Sequence, residues 1–137
     1  MVGRELINMY GYSSHIIGDE IFRVDSIGRD PDFHNVSFSV NRGEILGIAG
    51  LAGAGRTELA RGIFGVEPIK TGSMFLNGQS IKINDPNQAI AYRIGYVTED
   101  RKEQGVFLQK TIRDNIIAPS LCDFTTTLGM INEKAVT

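Results

Sequence analysis

A glycine-rich stretch at residues 50–57, GLAGAGRT, has residue types that could bind the phosphates of a nucleotide. Its spacing is that of a phosphate-binding loop, in which four residues separate two glycines and a basic residue and a threonine follow. Glycine accepts positive φ angles and lets the backbone approach an anion, while the loop's N–H groups and the start of the next helix face it. The hydroxyl of Thr57 suits a magnesium ion. The predicted nucleotide-binding residues are Gly50, Leu51, Ala52, Gly53, Ala54, Gly55, Arg56, Thr57 and Glu58.

The basic residue of this loop is Arg56, where the pattern has lysine. A guanidinium is planar, larger than an ammonium and permanently charged, and it can bind phosphate in a bidentate manner. It does not fit the narrow space that a lysine takes between phosphate oxygens. We therefore expect phosphate contact with impaired positioning of the γ-phosphate. The alternative is a solvated arginine, left at the start of a helix by a site that no longer binds.

The loop needs a strand before it and a helix after it, and the sequence predicts both. Residues 44–49 are almost continuously apolar, which is typical of a strand buried on both faces. Residues 57–64 have helical spacing, and Gly65 stands where a helix C-cap belongs. This context favours phosphate binding over a glycine-rich turn that binds nothing. A dinucleotide-binding loop would need a further glycine at position 58, where the chain has Glu58.

The remaining elements are predicted from alternation and from turn and cap residues. Val36, Phe38 and Val40 lie on one face of a predicted strand, and Asn77-Gly78 between two apolar alternations indicates a hairpin. Asp85, followed by proline, is typical of a helix N-cap. The predicted strands are 21–25, 33–40, 71–76, 80–83 and 93–97, and the predicted helices are 86–92 and 111–118.

Composition excludes several classes of protein. The chain has 137 residues, 42% hydrophobic and 22% charged, which is ordinary for a globular domain. Its net charge of −2 gives no basic field, so we expect no nucleic-acid partner. A single cysteine, Cys122, excludes an internal disulfide and a four-cysteine zinc site, and it fits a reducing cytosol. No apolar run has the length of a membrane span.

Several separated segments resemble an ATP-binding-cassette ATPase. They are residues 36–40, 43–50, 57–65, 72–78 and 94–102. The loop arginine and the run Thr98-Glu-Asp-Arg-Lys102 are similar to the second cassette of bacterial monosaccharide importers of the ribose/galactose/xylose type. Residues 1–6 resemble the end of a first cassette, so Met1 is not expected to be a natural start.

The resemblance implies an α/β fold: a P-loop NTPase core with an antiparallel β edge, truncated before the signature motif. Residues 1–18 would be a linker after a preceding cassette, 19–119 the N-terminal part of a nucleotide-binding domain, and 120–137 a segment of the helical subdomain that has lost its partners. The implied cofactors are ATP and Mg²⁺. The implied partners are the other cassette of the same polypeptide, membrane permease subunits and, indirectly, a periplasmic sugar-binding protein. The implied location is the cytoplasmic face of the bacterial inner membrane.

The resemblance also assigns residues outside the loop. Glu99 stands at the glutamine of the family's Q-loop and would sit near Mg²⁺ together with Thr57, although a solvated acidic loop remains an alternative. The Q-loop region of the family contacts the membrane subunit, which makes that role a prediction for Glu99, Asp100, Arg101 and Lys102.

Other family features are missing from the sequence. No aromatic residue stands near Ile27, where the family stacks adenine, and Phe33 is expected in the core. The signature motif and the magnesium-binding and water-activating carboxylates are absent, and both His15 and His34 precede the loop, so no catalytic set is complete.

Three functions follow from these features. The first is the nucleotide-binding part of a sugar importer's ATPase, with weak ATP binding and little or no hydrolysis by this chain alone. The second is a non-binding half that docks on the membrane subunit. The third, a small complete GTPase or kinase, is disfavoured because the Asp-x-x-Gly match at Asp25 and Gly28 precedes the loop.

Overall fold

The computed structural model describes residues 16–126 and 130–131. The chain divides into two compact units, one ending at Tyr96 and the other beginning at Val97. Most of the linker predicted over residues 1–18 lies outside the described residues, as does the end of the segment predicted over 120–137. None of the helices in the described residues has both the length and the apolar character that crossing a membrane requires.

The first unit contains a four-stranded sheet in the order β2-β1-β3-β4, with every neighbouring pair antiparallel. This sheet supplies the antiparallel edge that the sequence predicted. The strands are β1 (Glu20–Arg29), β2 (Phe33–Asn41), β3 (Thr71–Leu76) and β4 (Gln79–Ile81).

The register of β1 and β2 follows from their apolar alternation. Val24 lies opposite Phe38 and Ile27 lies opposite Val36, so the apolar residues of both strands share one face. The predicted strand over 33–40 is confirmed. Strand β1 is longer than predicted and runs on to Arg29, with register shifts after Val24 that accommodate the positive φ of Ser26.

The hairpin between β3 and β4 is confirmed at the predicted turn. Asn77 and Gly78 have φ angles of 50° and 76°, and Leu76 pairs with Gln79. Positive φ at both central residues is the type I′ geometry that two-residue hairpins prefer, and Asn-Gly tolerates it at least cost. The second strand ends at Ile81, two residues earlier than predicted.

The helices of the first unit begin and end at the predicted residues or within one position of them. Helix α1 (Arg56–Phe64) ends at Gly65, whose φ of 82° gives the left-handed cap. Helix α2 (Pro86–Ala91) begins after Asp85, whose carboxylate accepts a hydrogen bond from the backbone N–H of Gln88. The core joins one face of the sheet to α1 and α2. Its buried members are Val24, Ile27, Phe33, Leu59, Met74, Ile83 and Ala89.

The predicted strands over 44–49 and 93–97 are wrong, since the structure assigns no strand to either segment. Ile45 and Val97 are each 91% exposed. A strand buried on both faces needs neighbours that pair with its backbone, and the sheet of the described residues has β2 and β4 at its edges with neither segment added. Both segments are apolar enough for a buried strand, but neither pairs with any of the described strands.

The second unit is built from short helical turns. Asp100 caps a π-helical turn (Arg101–Gly105), and Thr111 caps helix α3 (Ile112–Ile117). Thr111 and Asp114 form a capping box, in which each side chain accepts a hydrogen bond from the other's backbone N–H. A 3₁₀ segment (Ala118–Phe124) follows and is kinked at Ser120. Helix α3 ends one residue before the position that the sequence predicted.

Candidate functional site

The loop that precedes α1 has the backbone conformation that its glycines predict. Gly53 and Gly55 have φ angles of 79° and 76°, which place both in the left-handed region. Between them, the N–H of Ala54 donates to the carbonyl of Leu51 at 3.1 Å and closes a turn. Backbone in which left-handed residues alternate with right-handed ones can form a concave array of N–H groups that binds anions, and Gly53 and Gly55 supply the left-handed residues here.

Gly55 is fixed by the turn between β1 and β2. It is buried, and a Cβ added there would lie 2.5 Å from the carbonyl oxygen of Asp32 and 3.6 Å from the Cβ of Phe33. A side chain at this position would therefore displace backbone. Gly53 differs, because an added Cβ would have nothing within 4 Å. The open side of the loop is thus at Gly53, and its anchored side is at Gly55.

Helix α1 begins at the anchored side without a side-chain cap. Its N-cap is Gly55, whose carbonyl accepts the first helical hydrogen bond from Leu59 N–H at 2.8 Å. The N–H groups of the first turn lack carbonyl partners one turn earlier, and a glycine cap offers no side chain to replace them. The positive end of the helix dipole lies at the same place. An anion such as phosphate accepts hydrogen bonds from these N–H groups and interacts favourably with the positive end of the dipole. The start of α1 therefore fits a phosphate group.

Arg56 lies across this loop. Its Nη2 donates to the carbonyl of Leu51 at 3.4 Å, and its Nε is 3.8 Å from the position that a Cβ would take on Gly50. The side chain is exposed, and the long hydrogen bond is a weak one. The guanidinium is therefore held near the phosphate-binding backbone by a contact that a phosphate oxygen can replace.

Thr57 follows directly and is half-buried in the first turn of α1. Within the described residues, no group of three histidine, cysteine, aspartate or glutamate side chains could hold a metal ion. Mg²⁺ in nucleotide sites is usually held by one or two protein oxygens together with phosphate oxygens and water. Magnesium ligation by the Thr57 hydroxyl, with a nucleotide supplying phosphate oxygens, remains a prediction.

The position where adenine would stack offers no ring. Ile27 is 0% exposed and Phe33 is 7% exposed, so both belong to the core, as expected for Phe33. His34 is an exposed residue of β2, and its Nε2 lies 3.5 Å from a carboxylate oxygen of Asp30. The structure therefore offers no aromatic platform at Ile27 or Phe33.

The predicted residues around Glu99 belong to the second unit, whereas Thr57 belongs to the first. Shared magnesium ligation by Thr57 and Glu99 remains a prediction. Asp100 organises its own segment: its carboxylate accepts from the N–H of Lys102 at 2.9 Å and of Glu103 at 3.1 Å, and its carbonyl accepts from Thr98. The π-helical turn that follows is fully exposed.

Sequence reasoning missed a cluster of charges beside the loop. Nη1 of Arg29 donates to Asp32 at 2.7 Å and also to Glu67, and Arg61 donates to the second oxygen of Glu67 at 2.7 Å. These side chains are 25–29% exposed. Each looked like an ordinary surface charge in the sequence, and no spacing rule relates residues as far apart as Arg29 and Glu67.

An open cavity of about 350 Å³ lies elsewhere in the first unit, and its lining contains no loop residue. It is bordered by β3, β4 and the residues beside them, including Lys70, Ser73, Ser80, Lys82 and Asn84. The two lysines are exposed, and no buried polar group among the described lining residues points to a ligand. This cavity is therefore separate from the predicted nucleotide-binding residues.

A family model described as ABC transporter matches residues 33–136. The chain belongs to the ABC transporter family. This assignment confirms the α/β P-loop fold class, with the antiparallel sheet described above as its edge. Nucleotide binding by the glycine loop and the start of α1 remains a prediction.

Three similar relatives carry the same name. The chain is 46% identical over 137 residues to the ribose import ATP-binding protein RbsA of Lactococcus lactis subsp. cremoris and 48% identical over 121 residues to that of Bacillus cereus. It is 41% identical over 134 residues to that of Bacillus subtilis. These matches cover 100%, 88% and 98% of the chain but 27%, 24% and 27% of the relatives, so the chain spans about a quarter of their length. No solved structure matches the chain significantly.

Proposed function

We propose that the chain is the phosphate-binding part of the ATP-binding subunit of an importer for ribose or a similar monosaccharide. The relatives are named for ribose import and ATP binding, and the family model covers the loop and α1. The parent protein would hydrolyse ATP on the cytoplasmic face of the inner membrane. The partners of this chain would be the other cassette of the same polypeptide, membrane permease subunits and, indirectly, a periplasmic sugar-binding protein.

The observation that carries the proposal is the backbone of residues 50–57. The left-handed Gly53 and Gly55 and the uncapped start of α1 gather N–H groups on one side, and Arg56 adds a positive charge beside them. In the nucleotide complex, the N–H groups bind phosphate oxygens and Arg56 exchanges the Leu51 carbonyl for phosphate. Mg²⁺, held by Thr57, supplies charge neutralisation at the phosphates.

The chain alone binds ATP weakly and hydrolyses it little. Ile27 and Phe33 are buried and supply no stacking surface for adenine. Phosphoryl transfer depends on positioning and charge stabilisation, and the sequence lacks the family's signature motif and its water-activating carboxylate. The broader guanidinium also displaces the γ-phosphate from the position that a lysine would give it.

Calorimetric titration of the full chain with MgATP tests the proposal. We expect binding by the natural sequence, a loss of roughly tenfold in affinity for Arg56→Ala because a charge-assisted phosphate contact is removed, and partial retention for Arg56→Lys. Lys82→Ala is the matched control, because it removes one exposed positive charge from the same unit, away from the loop.

An affinity unchanged in Arg56→Ala would show that Arg56 makes no phosphate contact, and an affinity lowered equally in Lys82→Ala would show that the effect of Arg56→Ala is not specific to the loop. An absence of heat with the natural sequence and all three variants, confirmed by equilibrium dialysis, would reject nucleotide binding by this chain.

A second function, docking on the membrane subunit, is favoured by the surface of the second unit. Phe107, Leu108, Ile112 and Ile116 are 63–81% exposed, which is unusual for so many large apolar residues in one short segment. The predicted contact residues from Glu99 to Lys102 lie in the same unit, and four residues separate Lys102 from Phe107.

Reversal of charge at Arg101 and Lys102 tests this docking role in the complete importer. We expect reduced co-purification of the ATP-binding and membrane subunits and reduced sugar transport, while ATP binding by the loop is unchanged. Unchanged assembly and transport would contradict the docking role.

A further inference from the structure

Four charged side chains join three separate segments of the first unit. Arg29 is the last residue of β1, Asp32 lies in the turn before β2, Arg61 is on α1, and Glu67 follows α1. Glu67 accepts from both arginines, and Arg29 donates to both carboxylates through the single atom Nη1. The four residues form one connected chain of ion pairs, which we call the charge cluster.

The charge cluster ends at the phosphate loop. The carboxylate of Asp32 is held by Arg29 at 2.7 Å, and the backbone carbonyl of the same aspartate lies 2.5 Å from the position of a Cβ on Gly55. The N–H of Asp32 also donates to the carbonyl of Arg29 at 2.8 Å, which further restrains the backbone of Asp32. Any movement of Asp32 therefore changes the space available to Gly55.

The cluster also holds α1 itself. Arg61 lies two residues after Leu59 and donates through Nη2 to Glu67 at 2.7 Å, while its Nε is buried without a hydrogen-bond partner among the described residues. Burial of an unpaired donor costs free energy, and the bond to Glu67 offsets part of that cost. The helix whose N-terminus faces the phosphate is thus tied to the same carboxylate that binds Arg29.

We infer that the charge cluster positions the phosphate loop, with Arg29 as its central positioning residue. It holds the Asp32 carbonyl against Gly55 on one side and α1 on the other, so the N–H groups between them keep the spacing that a phosphate needs. The inference rests on the proposed phosphate-binding function of the loop. Arg29 itself does not touch the ligand.

Amide hydrogen exchange of the full chain measures loop position without any ligand. Two loop hydrogen bonds serve as reporters, Ala54 N–H to Leu51 and Leu59 N–H to Gly55, and Asn77 N–H to Ile21 is a remote reference in the same unit. If the cluster holds the loop, removal of the Arg29 charge increases exchange at the two loop reporters and leaves the reference unchanged.

Three variants make this comparison specific. Arg29→Met keeps the length of the side chain without its charge and is expected to speed exchange of the loop reporters roughly fivefold, the effect of losing a partly exposed ion pair. Arg29→Lys is expected to stay within about twofold of the natural sequence, since one nitrogen makes both contacts. Arg23→Met is the control on the same strand: it removes the more exposed ion pairs of Arg23 with Glu20 and Asp25 and its contact with the Phe75 ring.

MgATP affinity gives the second readout. Arg29→Met is expected to weaken it roughly in proportion to the faster loop exchange, and Arg29→Lys is expected to restore it. Loop reporters that do not change in Arg29→Met, or that change together with Asn77, would overturn the positioning role. So would equal effects of Arg23→Met. If Arg29→Met does not fold, Asp32→Asn is the second variant, because it removes one of the two carboxylate charges that contact Arg29 and keeps a hydrogen-bond acceptor. Faster exchange at the loop reporters alone would support the positioning role, and unchanged exchange would overturn it.

The exchange result stands even if the natural sequence binds no ATP. In that case the proposed function fails, while faster loop exchange in Arg29→Met still supports the positioning role. Conversely, ATP binding that is lost in Arg56→Ala but unaffected by Arg29→Met supports the function and rejects the positioning role.

Discussion

Two glycines of the loop have almost the same φ angle but different surroundings, and this difference predicts different costs of substitution. Gly53 has a φ of 79° with open space where a side chain would begin, whereas Gly55 has a φ of 76° with the Asp32 carbonyl 2.5 Å from an added Cβ. Replacement of each by alanine separates the cost of backbone strain from the cost of steric overlap.

The expected magnitudes follow from the two surroundings. A left-handed conformation costs an alanine about 1–2 kcal/mol, part of which is offset by its smaller entropy in the unfolded chain, so Gly53→Ala should destabilise by about 1 kcal/mol. Gly55→Ala has the same backbone strain, and its methyl group also overlaps the carbonyl oxygen of Asp32. Such overpacking destabilises the folded state by a further amount of about 1–3 kcal/mol. We therefore expect a loss of about 3 kcal/mol for Gly55→Ala.

Urea-induced unfolding, followed by circular dichroism, measures both values on the full chain. Titration of each folded variant with MgATP measures the effect on nucleotide affinity. A methyl group at Gly53 occupies the open side of the loop, so it should weaken binding without unfolding the protein. Equal destabilisation by the two substitutions would refute the argument that Asp32 anchors Gly55.

Two further predictions concern helix caps. Asp85→Ala should lower the free energy of unfolding by about 1 kcal/mol, because the Gln88 N–H loses its acceptor. Asp85→Ser should restore the stability, because its hydroxyl can accept the same hydrogen bond. Urea-induced unfolding of the two variants measures both effects. The hydrogen bonds of Asp114 with the Thr111 side chain and then its N–H lower the pKa of that carboxyl below its usual 3.8. A lowered folded-state pKa stabilises α3 above pH 3.8, and the contribution is lost as pH falls through the folded value. Carboxyl-carbon NMR should show a higher pKa in Thr111→Val, and an unchanged value would reject the capping box as the cause.

Local chemistry in the sequence predicted the elements whose determinants are close together along the chain. Asn77-Gly78 fixes a hairpin because both residues tolerate positive φ, and Asp85 with its proline fixes the start of α2. The glycines of the loop likewise predicted its left-handed turns, because few other residues adopt them without strain.

Features that depend on distant partners could not be predicted in this way. Residues 44–49 have the composition of a buried strand, yet a strand forms only where neighbouring backbone pairs with it, and Ile45 is 91% exposed. The charge cluster is a contact that formed without being predicted, because Arg29 and Glu67 meet only after β1, α1 and the segment after α1 have packed. Neither charge has a sequence neighbour that signals the contact.

The most direct test of the central claim, that residues 50–57 cradle the phosphates of a nucleotide, is an amide NMR titration of the full chain with MgATP. The account predicts saturable shifts of the Gly53, Gly55 and Thr57 amides, reduced in Arg56→Ala, with little change in β3 and β4. Shifts concentrated around Lys70 and Lys82, or none in the loop at saturating ATP, would contradict it.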